Sequence, residues 1–518
     1  MNTTRKENAT SSPRKQQLVA ILFFISLIGT GFSWIMASPI GGSPDDDFHM
    51  GSIWCPRPAE ESCQTAVING VLNIKVPEPV ALATECHAHK PDHAAVCPRP
   101  LSDDKEAFSA RFDIASYPTA YYRFHHLLIQ ETVAGSILLM RAVNFFITVT
   151  LFAGIGALLE KNLRYPYLLA MAASWAPMGI YFLTSINPSS WAIAGTFAYA
   201  TAMWGALSAR DDKRRWALTA LALVGALLSF GSRGDAAFYI FVVTAALFFA
   251  FAKKRCHRPQ WILASVLSLV GIYLMMSGGQ ASNVVQASSV SSNPIAIALR
   301  TIVDLPRFFG GLVGYEFGPG WFDIPLSGTI VVLAIFVTGS FLFVGIRQGS
   351  WRKWMSALMV FGAMAGIPVL IIVAGAYPHL GPYQPRYILP LLAVLMFVLF
   401  ASDGGIRLRP SLPQRIVLMT SLWLILSFTL HTILWRYVKG LGGVPPFNLD
   451  ALVSWWWNVP ISPMTTWLIG AASMAVTLLT GSYLARETLQ LAQDGTQMSN
   501  DTSYRGEAES PERPLNER

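Results

Sequence analysis

Charge is what this sequence has least of. Asp, Glu, Lys and Arg make up only 13% of its 518 residues, where a soluble protein carries roughly 25%. That shortage excludes a soluble globular enzyme, because the missing charge is replaced by apolar runs of the length, about 20 residues, that crosses a bilayer. The basic excess, 38 Lys and Arg against 30 Asp and Glu, sits in short clusters between those runs. Clusters of that kind orient a membrane protein and exclude a nucleic-acid partner. Cysteine is scarce too, five in all, and no spacing among them fits a zinc site. No cytoplasmic segment is long enough to be a domain, so any chemistry belongs to the outer face or the membrane interior.

What is present is an all-α polytopic pattern of about twelve spans. They fall at roughly 17–38, 133–159, 167–185, 190–209, 216–231, 235–252, 260–277, 326–346, 355–375, 387–402, 416–435 and 464–485. Basic clusters alternate along the chain, as at Lys161 and Arg164, Lys213 to Arg215, and Arg352 and Lys353. By the positive-inside rule those loops are cytoplasmic. The expected organisation is a cytoplasmic segment 1–16, a transmembrane domain 17–485 in the plasma membrane, and a polar, disordered tail 486–518, both termini inside. The first span is expected to remain as an uncleaved signal anchor.

Three outer loops are large: 39–132, 278–325 and 436–463. The first holds Cys55, Cys63, Cys86 and Cys97, on the side where disulfides persist. Two disulfides are expected, with three connectivities open; Cys256, in "KKRCHR", lies on the reducing side. The same loop ends in "SYPTAYYRFHHLLIQ", whose aromatics suit an interfacial helix. The second opens on a polar, flexible stretch, "GGQASNVVQASSVSSNP". In the third, Trp455, Trp456 and Trp457 suit an aromatic belt or a sugar-stacking platform.

The chemistry-bearing stretch is "GGSPDDDFHMGSIWC", just past the first span. Asp45, Asp46 and Asp47 are there either as a solvated cluster or as functional acids. Adjacent carboxylates raise the pKa of at least one, which makes a better base. With His49 they could instead hold a divalent cation. Arg141 and Asn144 lie within the second span, where an arginine faces a cavity or snorkels to the interface. Arg233 pairs with Asp235 in its turn or serves a ligand. Arg386, beside Tyr387 and just before the tenth span, is placed either for a phosphate or for lipid headgroups.

Four of these elements, in order, resemble a family of bacterial multi-pass membrane proteins grouped only as a domain of unknown function. Members of that family in turn resemble the GT-C glycosyltransferases. The family's "PPDE…H" is matched by "SPDDDFH", with Pro44, Asp45, Asp46 in the Glu place, and His49. "GWLD…LP" is matched by "GWFDIPL", with Gly320, Trp321, Asp323 and Pro325; "GRYLLP" by "PRYILP", with Arg386, Tyr387 and Pro390. An "NPD" turn is matched by Asn187, Pro188 and Ser189, which lacks the carboxylate, and Pro385 replaces a glycine. The resemblance covers about 20–485.

It implies a transferase that takes a sugar from a polyprenyl-phosphate donor to an envelope glycan or lipid acceptor. Asp45 or Asp46 would be the base, and Arg386, with Arg141 or Arg233 behind it, the cation for the leaving phosphate. His49, Tyr387, Asn187, Trp321 and Asp323 would line the substrate site. A transporter or flippase of lipid-linked glycan, or a polysaccharide polymerase or ligase, is the alternative. Transporters gather their binding groups at the midplane, whereas these acids and Arg386 gather at one face.

Overall fold

The computed structural model describes residues 13–251, 257–279, 293–401, 411–442, 447–451 and 454–508, with side chains from Arg14 to Ala485. Cys256 and most of the polar stretch of the second outer loop lie outside the described residues. The first helix, α1 (Pro13–Met36), is the apolar run next to the N-terminus. Residues 37–132 then build a small layer over one end of the bundle. It comprises α2 (Asp46–Trp54), α3 (Ala59–Ser62), β1 (Thr65–Ile68), β2 (Val71–Pro77), α4 (Glu78–Leu82), β3 (Glu106–Ser109) and α5 (Thr119–His126).

The three strands pair antiparallel in the order β1-β2-β3, with Ile74 facing Thr65 on one side and Ser109 on the other. Asn69 and Gly70, at φ 50° and 78°, make the β1–β2 turn. Two successive positive φ values are what a two-residue hairpin needs, and Asn-Gly supplies them at least steric cost. Disulfides Cys55–Cys63 and Cys86–Cys97 staple the layer, each cysteine joined to its neighbour in sequence.

The rest is helical: α6 (Val133–Leu158), α7 (Lys161–Ser174), α8 (Met178–Leu183), α9 (Ser189–Ser208), α10 (Asp212–Ser232), α11 (Gly234–Phe251), α12 (Arg258–Ser277), α13 (Pro294–Gly310), α14 (Gly328–Gly345), α15 (Trp351–Val373), α16 (Leu389–Ala401), α17 (Leu412–Lys439) and α18 (Pro463–Ala508). Side-chain oxygens cap several of them: Thr132 accepts from Gly135 N–H, Asp211 from Arg214 N–H, and Ser411 forms a capping box with Gln414.

Nine helices among the described residues, not about twelve, are long and apolar enough to cross a membrane: α1, α6, α10, α11, α12, α14, α15, α17 and the first part of α18. The three expected spans that fall short do so for separate reasons. The run 167–185 is broken at Pro177 into α7 and α8. The α16 helix has 13 residues, about 20 Å of rise, too short for the hydrocarbon. The α9 helix has the length, but serine, threonine and glycine dilute its apolarity. Protein sheathes it as far as Leu207. It packs so closely on α10 that a Cβ at Gly195 would sit 2.6 Å from Gly225 O, a small-residue contact of the kind membrane helices use.

Three local expectations also change. The aromatics of "SYPTAYYRFHH" turn inward, with Tyr121, Tyr122 and His125 of α5 buried rather than spread on an interface. Trp457 is buried and its indole N–H donates to Met36 O at 2.9 Å, so it pins the end of α1 instead of standing in a belt. The backbone of the expected disordered tail is helical as far as Ala508.

The α13 helix was hidden in the second outer loop and has three faces. Leu305 and Phe308 are buried, Ile295, Leu299, Ile302 and Val303 are exposed, and Arg300, Asp304 and Arg307 form a separate exposed strip. At 3.6 residues per turn these are a protein face, an apolar face and a water face, the pattern of a helix lying in a membrane surface.

Candidate functional site

The turn between α1 and α2 is gripped by its own backbone oxygens. Arg141, from α6, donates to Ile35 O (3.1 Å), Ser38 O (2.6 Å) and Pro39 O (2.7 Å). Trp321 donates to Gly41 O at 2.9 Å, and Tyr181 and Tyr437 both donate to Gly42 O, at 2.7 and 2.6 Å. Asn187 and Arg386 both donate to Pro44 O, at 2.9 and 3.3 Å. A buried turn has carbonyls that need partners. Here those partners come from across the chain: Arg141, Tyr181 and Tyr437 stand on helices, and Asn187, Trp321 and Arg386 in the segments between them. The result fixes Asp45 in space.

Asp45 is the N-cap of α2 and holds φ 61°, a left-handed conformation rare outside Gly, Asn and Asp. That conformation splits the three acids. The Asp45 carboxylate, one-third exposed, lies 2.5 Å from Arg386 Nη2 on one side and 3.3 Å from Arg111 Nη2 on the other. Burial opposes its ionisation, but the charge and hydrogen bond of Arg386, with a smaller contribution from Arg111, hold its pKa below the usual carboxylate value. Asp46 points the opposite way and is fully buried. Its Oδ2 accepts from Ser43 N–H at 2.8 Å and stands 4.0 Å from Arg141, while Oδ1 has no hydrogen-bond partner. Burial pushes its pKa up to about 7. Asp47 is tied to Arg111 at 2.9 Å.

His49 is buried one turn along α2, 3.0 Å from the Tyr122 hydroxyl and against the Tyr117 ring. Burial lowers its pKa to about 3, against the pull of Asp45, so the imidazole is neutral. Asp45, Asp46 and His49 therefore face three different partners. Among the described residues no three His, Cys, Asp or Glu side chains converge as metal ligands.

Arg386 is almost wholly buried, its guanidinium among the rings of Tyr387, Phe182 and Phe322 at 5.2 to 5.8 Å. Its Nε has no hydrogen-bond partner. The Tyr387 ring also lies 4.8 Å from the guanidinium of Arg233, so it separates two cations. Arg233 itself is held bidentately by Asp235, at 2.9 and 2.7 Å, and donates to Ser189 Oγ at 2.9 Å. Ser189, where the family's turn has an acid, is thus a neutral partner for that arginine. Asp323 accepts from buried Arg436 at 2.8 Å, and Arg436 also donates to His87 O and His93 O. Those contacts tie the disulfide-stapled layer to α17.

The structure brings Asp45, Arg386 and Tyr387 together and puts Asn187 and Trp321 on the turn that carries Asp45. Asp46, Arg141 and Asp323 hold other partners and are not part of that cluster. Sequence reasoning missed Arg111, because nothing in the sequence sets it apart from Arg57, Lys75, Lys90, Arg99, Lys105 and Arg123 in the same loop. An exposed carboxylate pinned between a buried and an exposed arginine, at the end of a helical bundle, can accept a proton, and the arginines can hold an anion.

Apolar helices around a polar rim define a multi-pass membrane protein. The family described as predicted membrane protein (DUF2142) matches residues 28–395, and the chain belongs to it. No curated protein and no solved structure matches the chain.

Proposed function

We propose that the protein is an inverting membrane glycosyltransferase that moves a sugar from a polyprenyl-phosphate donor to an envelope glycan or lipid acceptor. In this reading both termini are cytoplasmic, the bundle lies in the plasma membrane and the layer 37–132 stands on the outer face. The observation that carries it is the contact between the part-exposed Asp45 carboxylate and the buried Arg386 guanidinium. The acceptor hydroxyl oxygen attacks the anomeric carbon, the bond from that carbon to the phosphate oxygen breaks, and its electron pair leaves with the phosphate. Asp45 takes the hydroxyl proton, and Arg386 faces the phosphate charge.

The same contact supplies a timing device. Without donor, Arg386 neutralises Asp45 and makes it a weak base. A donor phosphate that engages the guanidinium removes that cation from the carboxylate, and the base strengthens when it is needed. Asp46 takes no catalytic part, because it is fully buried. The test is transfer from a radiolabelled polyprenyl-phosphate sugar by membranes containing the wild-type or the Asp45→Asn protein. Transfer by wild type and its loss in the variant support the reading; equal transfer by both ends it.

A further inference from the structure

Apart from the Asp45–Arg386 pair, the outer layer contains a cavity of about 550 Å³. It is open to solvent and lies between the start of α3, strand β2 and the strap that joins β3 to α5. Arg57, Glu60, Leu72, Phe112, Asp113 and Arg123 line it. That volume falls within the range of about 300–1,000 Å³ usual for small-molecule sites.

The lining is unusual for an idle surface hollow. Asp113 is 1% exposed. Its Oδ1 is used by the N–H groups of Ser116 and Tyr117, at 2.7 and 3.1 Å. Its Oδ2 faces Arg57 at 3.2 Å but accepts no hydrogen bond, and Arg57 Nε is also buried without one. Groups in that state stand ready for a polar ligand. Arg57 and Arg123 are balanced by Glu60 and Asp113, so the site carries no net charge to favour an anion. Phe112 and Leu72 add an apolar wall. Alternating donors and acceptors beside an apolar wall, without net charge, match a neutral sugar: hydroxyls for the charged groups, a C–H face for the ring.

The strap links this cavity to Asp45. Arg111 holds Asp45 and Asp47, and Tyr117 packs against His49. Between them, Phe112, Asp113 and Ile114 line the cavity. Arg111 and Asp113 are two residues apart, which separates their Cα atoms by about 7 Å at most.

We propose that this cavity is the acceptor subsite, binding a neutral oligosaccharide whose end reaches Asp45 along the Arg111–Tyr117 strap. The word acceptor rests on the transferase reading; the sugar site itself does not.

The test is saturation-transfer NMR on the full-length protein in detergent. The probes are cellobiose, chitobiose, mannobiose and lactose, with glucose 6-phosphate as the anionic comparison. At least one neutral disaccharide is expected to receive saturation. The signal should fall at least tenfold in Thr119→Trp, which fills the cavity mouth, fall partially in Glu60→Gln and Arg123→Gln, and persist in Asp45→Asn. Melting curves verify that each variant is folded. Saturation of none of the neutral sugars, saturation of glucose 6-phosphate alone, or an unchanged signal in folded Thr119→Trp overturns the proposal. If binding behaves as expected but no transfer is found, the transferase reading falls and the sugar site stands. If transfer is found but Thr119→Trp transfers and binds like wild type, the subsite falls alone.

Discussion

Asp45 and Arg386, 341 positions apart in the sequence, meet at 2.5 Å with the arginine nearly buried and the acid one-third exposed. The unequal burial matters. The arginine is fixed by aromatic rings and the Pro44 carbonyl, so a ligand arriving from outside meets the carboxylate first and competes with it for a cation that cannot move away.

Removing the carboxylate should therefore separate binding from chemistry. Asp45→Asn is expected to lower the transfer rate by roughly 10² to 10⁴, the usual worth of a positioned base, while donor affinity holds or rises because Arg386 is released. Arg386→Lys keeps the charge and loses the planar fork, so its KM for donor should rise about tenfold or more. Steady-state transfer assays with varied donor check both.

Asp46 gives the opposite expectation. Its carboxyl is pushed up to about 7 by burial, against about 3.9 in an unfolded chain. A raised folded pKa contributes stability that is complete below the unfolded value and is lost as pH rises through the folded one. Between about pH 4 and 7 the wild type should lose stability with rising pH, by up to about 1.4 kcal/mol per unit from this group. Asp46→Asn should flatten that slope and keep transfer within several-fold of wild type. Melting temperatures across this range, with transfer at one pH, are the measurements.

This division of labour was only half legible in the sequence. The apolar runs announced a membrane bundle because lipid demands long uninterrupted segments, and the aspartates stood out against that background. Arg386 was legible from its depth at the head of an apolar run. Which aspartate meets Arg386 was not, because that is decided by one left-handed residue and by grips from Tyr181, Tyr437, Asn187 and Trp321, between 139 and 395 positions away. The buried helices α9 and α16 read as spans for a related reason. Protein can replace lipid around a helix, and then neither full length nor full apolarity is required.

Arg436 and Asp323 test the structural side of the same distinction. Both are buried, and the arginine also satisfies two carbonyls of the stapled layer. Arg436→Ala leaves a buried acid unpaired and should cost about 3–5 kcal/mol, seen as a lower melting temperature and reduced yield. The double change Arg436→Met with Asp323→Leu should be milder than Arg436→Ala, since no lone charge remains. Equal damage from both variants would show that the carbonyl contacts, rather than the ion pair, carry the stability.

The disulfides make sidedness testable. Cys55–Cys63 and Cys86–Cys97 lie in the layer that bears Asp45, and such bonds persist only in oxidising compartments. Glu60 is exposed on that layer, so Glu60→Cys in a Cys256→Ser background should react with a membrane-impermeant maleimide on intact cells. Cys256 in the otherwise wild-type protein should react only after the cells are opened. Mutating Cys86 and Cys97 to Ser should also cost about 2–3 kcal/mol for a loop of 11 residues and loosen the segment whose carbonyls Arg436 holds. Labelling of Glu60→Cys only in opened cells would put Asp45 on the cytoplasmic side and end the transferase reading, because its acceptor would then be on the wrong face.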